Sequence, residues 1–100
     1  MSHDEYTTHV EMEATAIGIN FGSMLLTVEP GGRTEGHAHD SAEVWVTDAG
    51  AGYVELPEGR RLDMRPGTPV EIPARAFHTV YCTSDEPLVF LALWWKRVAR

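Results

Sequence analysis

The chain alternates between short apolar runs and clusters of turn-forming residues. The apolar runs are rich in Val, Ile, Leu, Thr and aromatic residues, a composition typical of β-strands. Segments such as PGG, DAGAG, PEG, RPG and SDEP separate them, and these are typical of turns. The runs are TAIGINF, SMLLTVE, EVWVT, GYVEL, RLDM, PVEI, FHTVY and LVFLALWW. About eight short strands at this spacing predict an all-β fold, an antiparallel sandwich or barrel.

Two segments depart from this pattern. Residues 1–14 are polar and acidic without clear periodicity, and we interpret them as an extended N-terminal arm in front of a barrel domain over residues 15–100. Residues 88–95 form the longest apolar run, where a helix stays open as an alternative to a strand. We expect the 100 residues to form one domain with a modest core.

The charge of the chain argues against nucleic acids and membranes as partners. Fifteen Asp and Glu residues against eight Lys and Arg give a formal charge of −7, whereas phosphate binding needs clustered cations. No apolar run approaches membrane-spanning length, and we expect no leader peptide. A single cysteine, Cys82, excludes an internal disulfide and fits a reducing compartment. We therefore expect a cytoplasmic protein.

Three side chains that can bind a metal fall within seven positions, namely His37, His39 and Glu43. Residues two apart on a strand share a face and are about 6.6 Å apart along it, so both imidazoles can reach one ion. On a straight strand Glu43 would lie about 13 Å beyond His39. Residues 40–42, whose Asp and Ser favour turns, are therefore predicted to fold the chain back. The alternative is a solvated loop that binds nothing.

A fourth candidate ligand lies in RPGTPVEIPARAFHTV. His78 follows a Pro-rich turn and begins an apolar strand there, so a neighbouring strand can deliver its ring to the same point.

With these residues in place, the sequence resembles the cupin family. The first family motif is met at the expected spacing by Gly31, His37, His39, Glu43 and Gly50. The second motif is met in part, by Gly67, Pro73 and His78. Two positions depart from it: Arg75 replaces a glycine and Cys82 replaces an asparagine.

The resemblance implies a small jelly-roll barrel with one divalent metal ion per chain, held by His37, His39, Glu43 and His78. Zn, Fe, Mn, Ni and Co all stay open as the metal. It also implies a metalloenzyme for a small-molecule substrate, working by Lewis-acid coordination and proton transfer, with Glu43 as the catalytic base when displaced. Isomerase, cyclase or lyase chemistry is favoured. An Fe(II) dioxygenase and a non-catalytic binding or accessory cupin are the alternatives.

The departures from the motif carry their own expectations. Arg75 suggests a turn built differently, because a residue with a Cβ atom at positive φ costs on the order of 1 kcal/mol. Its side chain is interpreted as a surface arginine or as an anion contact at the barrel mouth. Cys82 would lie about 13 Å along the strand from His78, which predicts a small core residue and not a ligand.

Several further residues are assigned by strand parity. Trp45 and Thr47 share a face with Glu43 and, with Arg75, are candidates for the substrate pocket. Trp94 and Trp95 must face opposite sides of one strand, so one is predicted to enter the barrel. Tyr81 and Phe90 are predicted core residues.

The two ends of the chain carry apolar strands and opposite charge, and from this we expect a two-fold homodimer.

Overall fold

The structure is a computed structural model that describes residues 5–14, 19–36 and 38–97, with side chains from 22–36 and 38–95. Eight strands and one short 3-10 turn (Pro57–Gly59) account for the regular structure of these residues. The strands are β1 (Glu5–Ala14), β2 (Ile19–Val28), β3 (Glu43–Ala49), β4 (Gly52–Glu55), β5 (Arg61–Met64), β6 (Val70–Ile72), β7 (Thr79–Cys82) and β8 (Leu88–Arg97). No helix in this part of the chain is long and apolar enough to cross a membrane.

The strands form two antiparallel sheets. The larger has the order β1-β2-β8-β3-β6, and the smaller has the order β5-β4-β7. The predicted all-β jelly-roll barrel is confirmed. The apolar run at residues 88–95 belongs to a strand and not to a helix, because β8 is hydrogen-bonded to β2 on one side and β3 on the other. A central strand with apolar side chains on both faces gives such a continuous run.

Residues 5–14, which we interpreted as an arm, form the edge strand β1. This strand pairs with β2 over its whole length, from Glu5 opposite Val28 to Ala14 opposite Ile19. The division of the chain at residue 14 stays a prediction, and residues 15–18 lie outside the described part.

The core lies between the inner faces of the two sheets. On β3 the residues at positions 43, 45 and 47 are buried, as the alternation of side chains along a strand requires. Phe90 and Cys82 are buried as predicted, at 0% and 4% exposure. The apolar core consists of Leu26, Val28, Trp45, Val54, Leu56, Met64, Val70, Ile72, Val80, Cys82, Leu88, Phe90 and Ala92.

The prediction that Tyr81 is a core residue is wrong. Val80 and Cys82 point into the core, so Tyr81 between them points outward. Its ring stacks on that of Tyr53 with a centroid distance of 4.9 Å, and the Arg61 guanidinium lies 4.4 Å from the Tyr53 ring centroid. The outer face of the small sheet therefore carries an aromatic ladder that the apolar pattern alone assigns to the core.

Candidate active site and cavity

A cavity of about 310 Å³ opens between the sheets, at the lower end of the sizes common for small-molecule sites. We call it the central cavity. Its lining comes from strands β2, β3, β7 and β8 and from the loops that precede β3 and β7. The lining residues are Met24, Leu26, Thr34, His39, Ser41, Glu43, Trp45, His78, Val80, Phe90, Ala92 and Trp94.

The loop before β3 brings His39 to the wall of this cavity. The chain bends at Asp40 and Ser41, so the turn predicted over residues 40–42 is confirmed, and β3 begins at Glu43. The His39 side chain keeps 45% exposure and its Nε2 atom is 3.7 Å from Oε2 of Glu43. His39 therefore lies at the solvent-facing side of the site, while Glu43 lies beneath it.

Glu43 is a buried carboxylate with a different neighbour for each oxygen. The residue is 7% exposed, and its Oε1 accepts a hydrogen bond of 2.7 Å from the Trp45 indole nitrogen. This contact follows from the strand itself, because residues 43 and 45 share the inner face of β3. The indole thus orients the carboxylate and leaves Oε2 towards His39.

His78 is buried at 2% exposure just before β7. Its Nδ1 atom is 3.0 Å from the carbonyl oxygen of Ala76. Because a carbonyl only accepts hydrogen bonds, Nδ1 must carry the proton, and in the neutral ring Nε2 is the basic nitrogen. The ring centroid lies 5.2 Å from those of both His39 and Trp45. A backbone hydrogen bond of this kind is typical of metal-ligating histidines.

The donor atoms of His39, Glu43 and His78 fit a divalent metal in type, since imidazole nitrogen and carboxylate oxygen suit most first-row ions. In residues 22–36 and 38–95, however, no three His, Cys, Asp or Glu side chains are grouped closely enough to hold an ion. The fourth predicted ligand, His37, lies outside the described residues. The chemistry of the donors thus fits a metal, and the complete ligand set stays a prediction.

Arg75 adopts the left-handed conformation that favours glycine, with φ of 63°. That its turn differs from the turn of the family stays a prediction. The Arg75 backbone N–H donates to the carbonyl oxygen of His39, which ties the turn before His78 to the loop that carries His39. Arg75 keeps its positive φ because this hydrogen bond and the neighbouring turn fix the direction of the backbone at that residue.

The other predicted pocket residues take different places. Trp45 lines the central cavity and is 4% exposed. Thr47 is buried on the same face but is not among the described residues that line the cavity, and the Arg75 side chain is exposed. A substrate role for these three residues stays a prediction.

Trp94 enters the barrel and Trp95 is 48% exposed on the outer face, as parity predicted. In the sheet Trp94 lies between Gly22 on β2 and Glu43 on β3. A methyl group at Gly22 would overlap the Trp94 indole, so the indole lies across the glycine. Sequence reasoning missed this pairing, because it depends on the register of two distant strands.

Thr34 is a second residue that sequence reasoning missed. It is 2% exposed, and its hydroxyl oxygen accepts a 3.0 Å hydrogen bond from the Val80 backbone N–H. Its backbone N–H donates to the Val80 carbonyl at 2.9 Å. This pairing fixes Thr34 in the cavity wall, where its hydroxyl retains a proton to donate. A single threonine between Arg33 and Glu35 gave no signal in the sequence.

Comparisons with known proteins agree with this fold. The glucose-6-phosphate isomerase of Pyrococcus abyssi is 36% identical over 96 residues, covering 85% of this chain. The chain spans about half of that enzyme, 51% of its length. A Bacillus subtilis oxalate decarboxylase mutant superposes with a TM-score of 0.79 and 26% identity, over 94% of this chain and 26% of that one.

A smaller protein gives a similar result over more of its length. A Cupin 2 conserved barrel domain protein from Salinispora arenicola superposes with a TM-score of 0.76 and 23% identity, covering 95% of this chain and 78% of that one. The model of the Cupin domain family matches residues 24–94, which include both motif regions, the second half of β2 and most of β8. The chain therefore belongs to the cupin family.

Proposed function

We infer that the chain is a metal-dependent catalyst of the isomerase or lyase type, acting on a small organic molecule with Glu43 as the proton-transferring group. The observation that carries this proposal is the arrangement of Glu43 in the central cavity. One carboxylate oxygen is held by the Trp45 indole and the other is directed towards His39. Relatives named as isomerases and a structural neighbour named as a decarboxylase support this class of reaction.

His37, His39, Glu43 and His78 would hold one divalent ion, which is Zn, Fe, Mn, Ni or Co. One solved structure of the Bacillus subtilis oxalate decarboxylase is named for the Mn(II) centres of that enzyme, and this supports a divalent metal in the family. When bound, such an ion supplies Lewis-acid polarisation of a substrate oxygen.

The remaining chemistry belongs to the side chains of this chain. Trp45 fixes the plane of the Glu43 carboxylate, so that Oε2 is the oxygen in position to accept or return a proton. The Ala76 carbonyl fixes the proton of His78 on Nδ1. Apolar walls limit water in the cavity, which strengthens the electrostatic interactions of the site.

Exchange of a substrate proton with solvent deuterium tests the proposal. Protein loaded with Zn or Mn is incubated in deuterium oxide with a panel of small α-hydroxyketones, 2-hydroxy acids and aldoses, and exchange is followed by NMR. We expect exchange next to the carbonyl for at least one compound, and its loss in Glu43→Gln. The matched control is Asp48→Asn, an exposed acid on the outer face of the same strand.

Elemental analysis of the same samples separates metal binding from catalysis. About one metal ion per chain, with the stoichiometry lowered by Glu43→Gln, agrees with the proposed ligand set. Stoichiometric metal and ligand binding without any exchange would instead favour a non-catalytic binding cupin. Equal exchange in the wild-type protein and in Glu43→Gln would refute the role of Glu43.

The second part of the proposal concerns the assembly. The outer face of the large sheet carries a row of apolar side chains in register, with Leu25 opposite Leu91 and Leu91 opposite Val46. Leu25 and Val46 are 42% and 37% exposed. A second copy of the chain fits this row, because the row itself carries no charge, while the acids Asp48 and Glu71 lie beside it on β3 and β6. A homodimer in the cytoplasm, with neither nucleic acid nor membrane as partner, stays the prediction.

A further inference from the structure

The lining of the central cavity divides into a small polar cluster and a larger apolar surface. His39, Glu43 and His78 form the polar cluster, since the imidazole of His39 is close to both of the others. Apart from the hydroxyls of Thr34 and Ser41, the rest of the described lining is aliphatic or aromatic. A ligand that fills this space therefore presents polar atoms at one end and apolar surface over the remainder.

The described lining contains no lysine or arginine. A phosphate monoester carries between about −1.5 and −2 charges at neutral pH, and burying it without cations or a full set of hydrogen bonds is unfavourable. The isomerases that resemble this chain are named for a phosphorylated sugar, and this lining does not suit such a group.

Trp94 determines how much room the apolar part of the cavity offers. Its indole lies across Gly22, on the side away from Glu43, so the space above Glu43 is left open. A side chain at position 22 would occupy the place of the indole and force the ring towards Glu43. Phe90 and Trp45, with ring centroids 4.9 Å apart, form an aromatic surface deeper in the same cavity.

We propose that the central cavity selects a compact ligand with one oxygen-bearing end and an apolar, planar body, and that it rejects phosphorylated sugars. Trp94, resting on Gly22, is the residue that sets the size of the body. The oxygen-bearing end meets His39, Glu43 and His78, and this part alone rests on the proposed function. The apolar body lies between Trp94 and Phe90, with the Thr34 hydroxyl as a hydrogen-bond donor at the wall.

Calorimetric titration with three probes tests the selectivity. α-Hydroxyacetophenone has a neutral hydroxyketone end and one aromatic ring. Glucose 6-phosphate in its open form has the isomeric α-hydroxyaldehyde end, with a polar and charged body. Glucose has the same polar body without the phosphate and so separates the effect of polarity from that of charge. We expect α-hydroxyacetophenone to bind at least ~10-fold more tightly than either sugar, because the described lining away from the proposed metal ligands offers apolar contacts and no lysine or arginine. Equal or tighter binding of glucose 6-phosphate overturns the proposal, as does the absence of binding by α-hydroxyacetophenone.

Two variants test the role of Trp94. Gly22→Ala should lower the affinity for α-hydroxyacetophenone by about 10-fold or more, because the displaced Trp94 indole moves further into the cavity. Trp94→Ala should lower the affinity for α-hydroxyacetophenone, which has one ring, and raise the affinity for its two-ring analogue α-hydroxyacetonaphthone. Trp95→Ala removes the same side chain from the outer face and is the matched control. If Trp94→Ala and Trp95→Ala give the same affinities for both probes, Trp94 does not set the size.

Zinc content and indole NMR signals distinguish this proposal from the proposed function. The titrations are made on zinc-loaded and on zinc-free protein, and the tryptophan signals are assigned with single Trp→Phe variants. A shift of the Trp94 indole signal on adding α-hydroxyacetophenone, without a shift of Trp95, agrees with the assigned cavity. Failure to take up zinc contradicts the metal centre but not the preference for an apolar body. A shift confined to Trp95 contradicts the cavity assignment while leaving the metal centre intact.

Discussion

The backbone N–H of Arg75 donates to the carbonyl oxygen of His39 across 2.5 Å. This hydrogen bond joins the loop of the first cupin motif to the turn of the second, so the two segments that carry His39 and His78 are held together by main chain. It requires φ of 63° at Arg75, a conformation that glycine adopts without strain. The protein thus carries an arginine at a position whose backbone conformation favours glycine.

Arg75→Gly is expected to raise the free energy of unfolding by up to about 1 kcal/mol, since relief of the left-handed strain exceeds the added entropy of the unfolded glycine. Arg75→Val should lower it by about 1 kcal/mol or more, because a branched residue resists positive φ. Urea unfolding measures both. Glu58, exposed with φ of 66° in the 3-10 turn, supplies a control: Glu58→Gly should give a similar gain. A loss of stability confined to Arg75→Gly would show that the arginine side chain stabilises the turn.

Most of the strand pattern was predictable because the runs between turns are short, whereas the run at residues 88–95 is apolar on both faces and left a helix open. Glu43, Trp45 and Thr47 share the inner face of β3 because side chains alternate along a strand. The sequence also placed the bend before Glu43, because spacing along a straight strand left no other way to bring Glu43 near His39. These inferences use only local geometry, which is why they succeed.

Contacts between distant segments were beyond such reasoning. The packing of the Trp94 indole over Gly22 depends on the register of β2 and β8, which no local sequence pattern specifies. Tyr81 was predicted to lie in the core, whereas its parity relative to Val80 and Cys82 turns it outward. Side-chain type predicts burial only after the face of the strand is known.

Trp45→Phe should weaken metal binding by about 10- to 100-fold, because Glu43 loses the donor that orients its carboxylate. The same change should cost about 1–3 kcal/mol of stability, since a buried carboxylate oxygen loses its hydrogen bond. Metal titration and urea unfolding measure the two effects. Trp95→Phe, on the exposed outer face, is expected to change neither. If both variants bind metal equally well, the indole does not support the site.

Bound metal should be released as the pH falls below about 6, because protonated imidazoles, with an ordinary pKa of about 6.5, cannot ligate an ion. Protein is stripped with a chelator, reloaded at about pH 7.5 or at about pH 5, and analysed for metal. We expect close to full occupancy in the first case and a large loss in the second. Identical metal content at the two pH values would contradict ligation by histidine.

The pKa of Tyr81 is raised above its ordinary value of 10.0 by burial, and further by the charge and the hydrogen bond of Glu55. The folded state therefore holds this proton more tightly than the unfolded chain. The stabilisation is fully present below pH 10.0 and is lost as the pH rises through the raised pKa. Titration of tyrosinate absorbance should show a lower Tyr81 pKa in Glu55→Gln than in the wild-type protein. Glu58→Gln, away from the aromatic ladder, is expected to leave it unchanged, and equal curves for both variants would exclude Glu55 as a cause.

The apolar row on the large sheet predicts a homodimer that charge can dissociate. Leu25, Leu91 and Val46 lie side by side on β2, β8 and β3, so glutamates introduced there would bring like charges and buried carboxylates into a two-fold interface formed by this row. Light scattering at micromolar concentration should give twice the chain mass for the wild-type protein and the chain mass for Leu25→Glu with Val46→Glu. Thr68→Glu, an exposed position between β5 and β6, is the control and should stay dimeric. A wild-type protein of monomeric mass would refute the dimer, and a dimer that survives both glutamates would place the interface on another face.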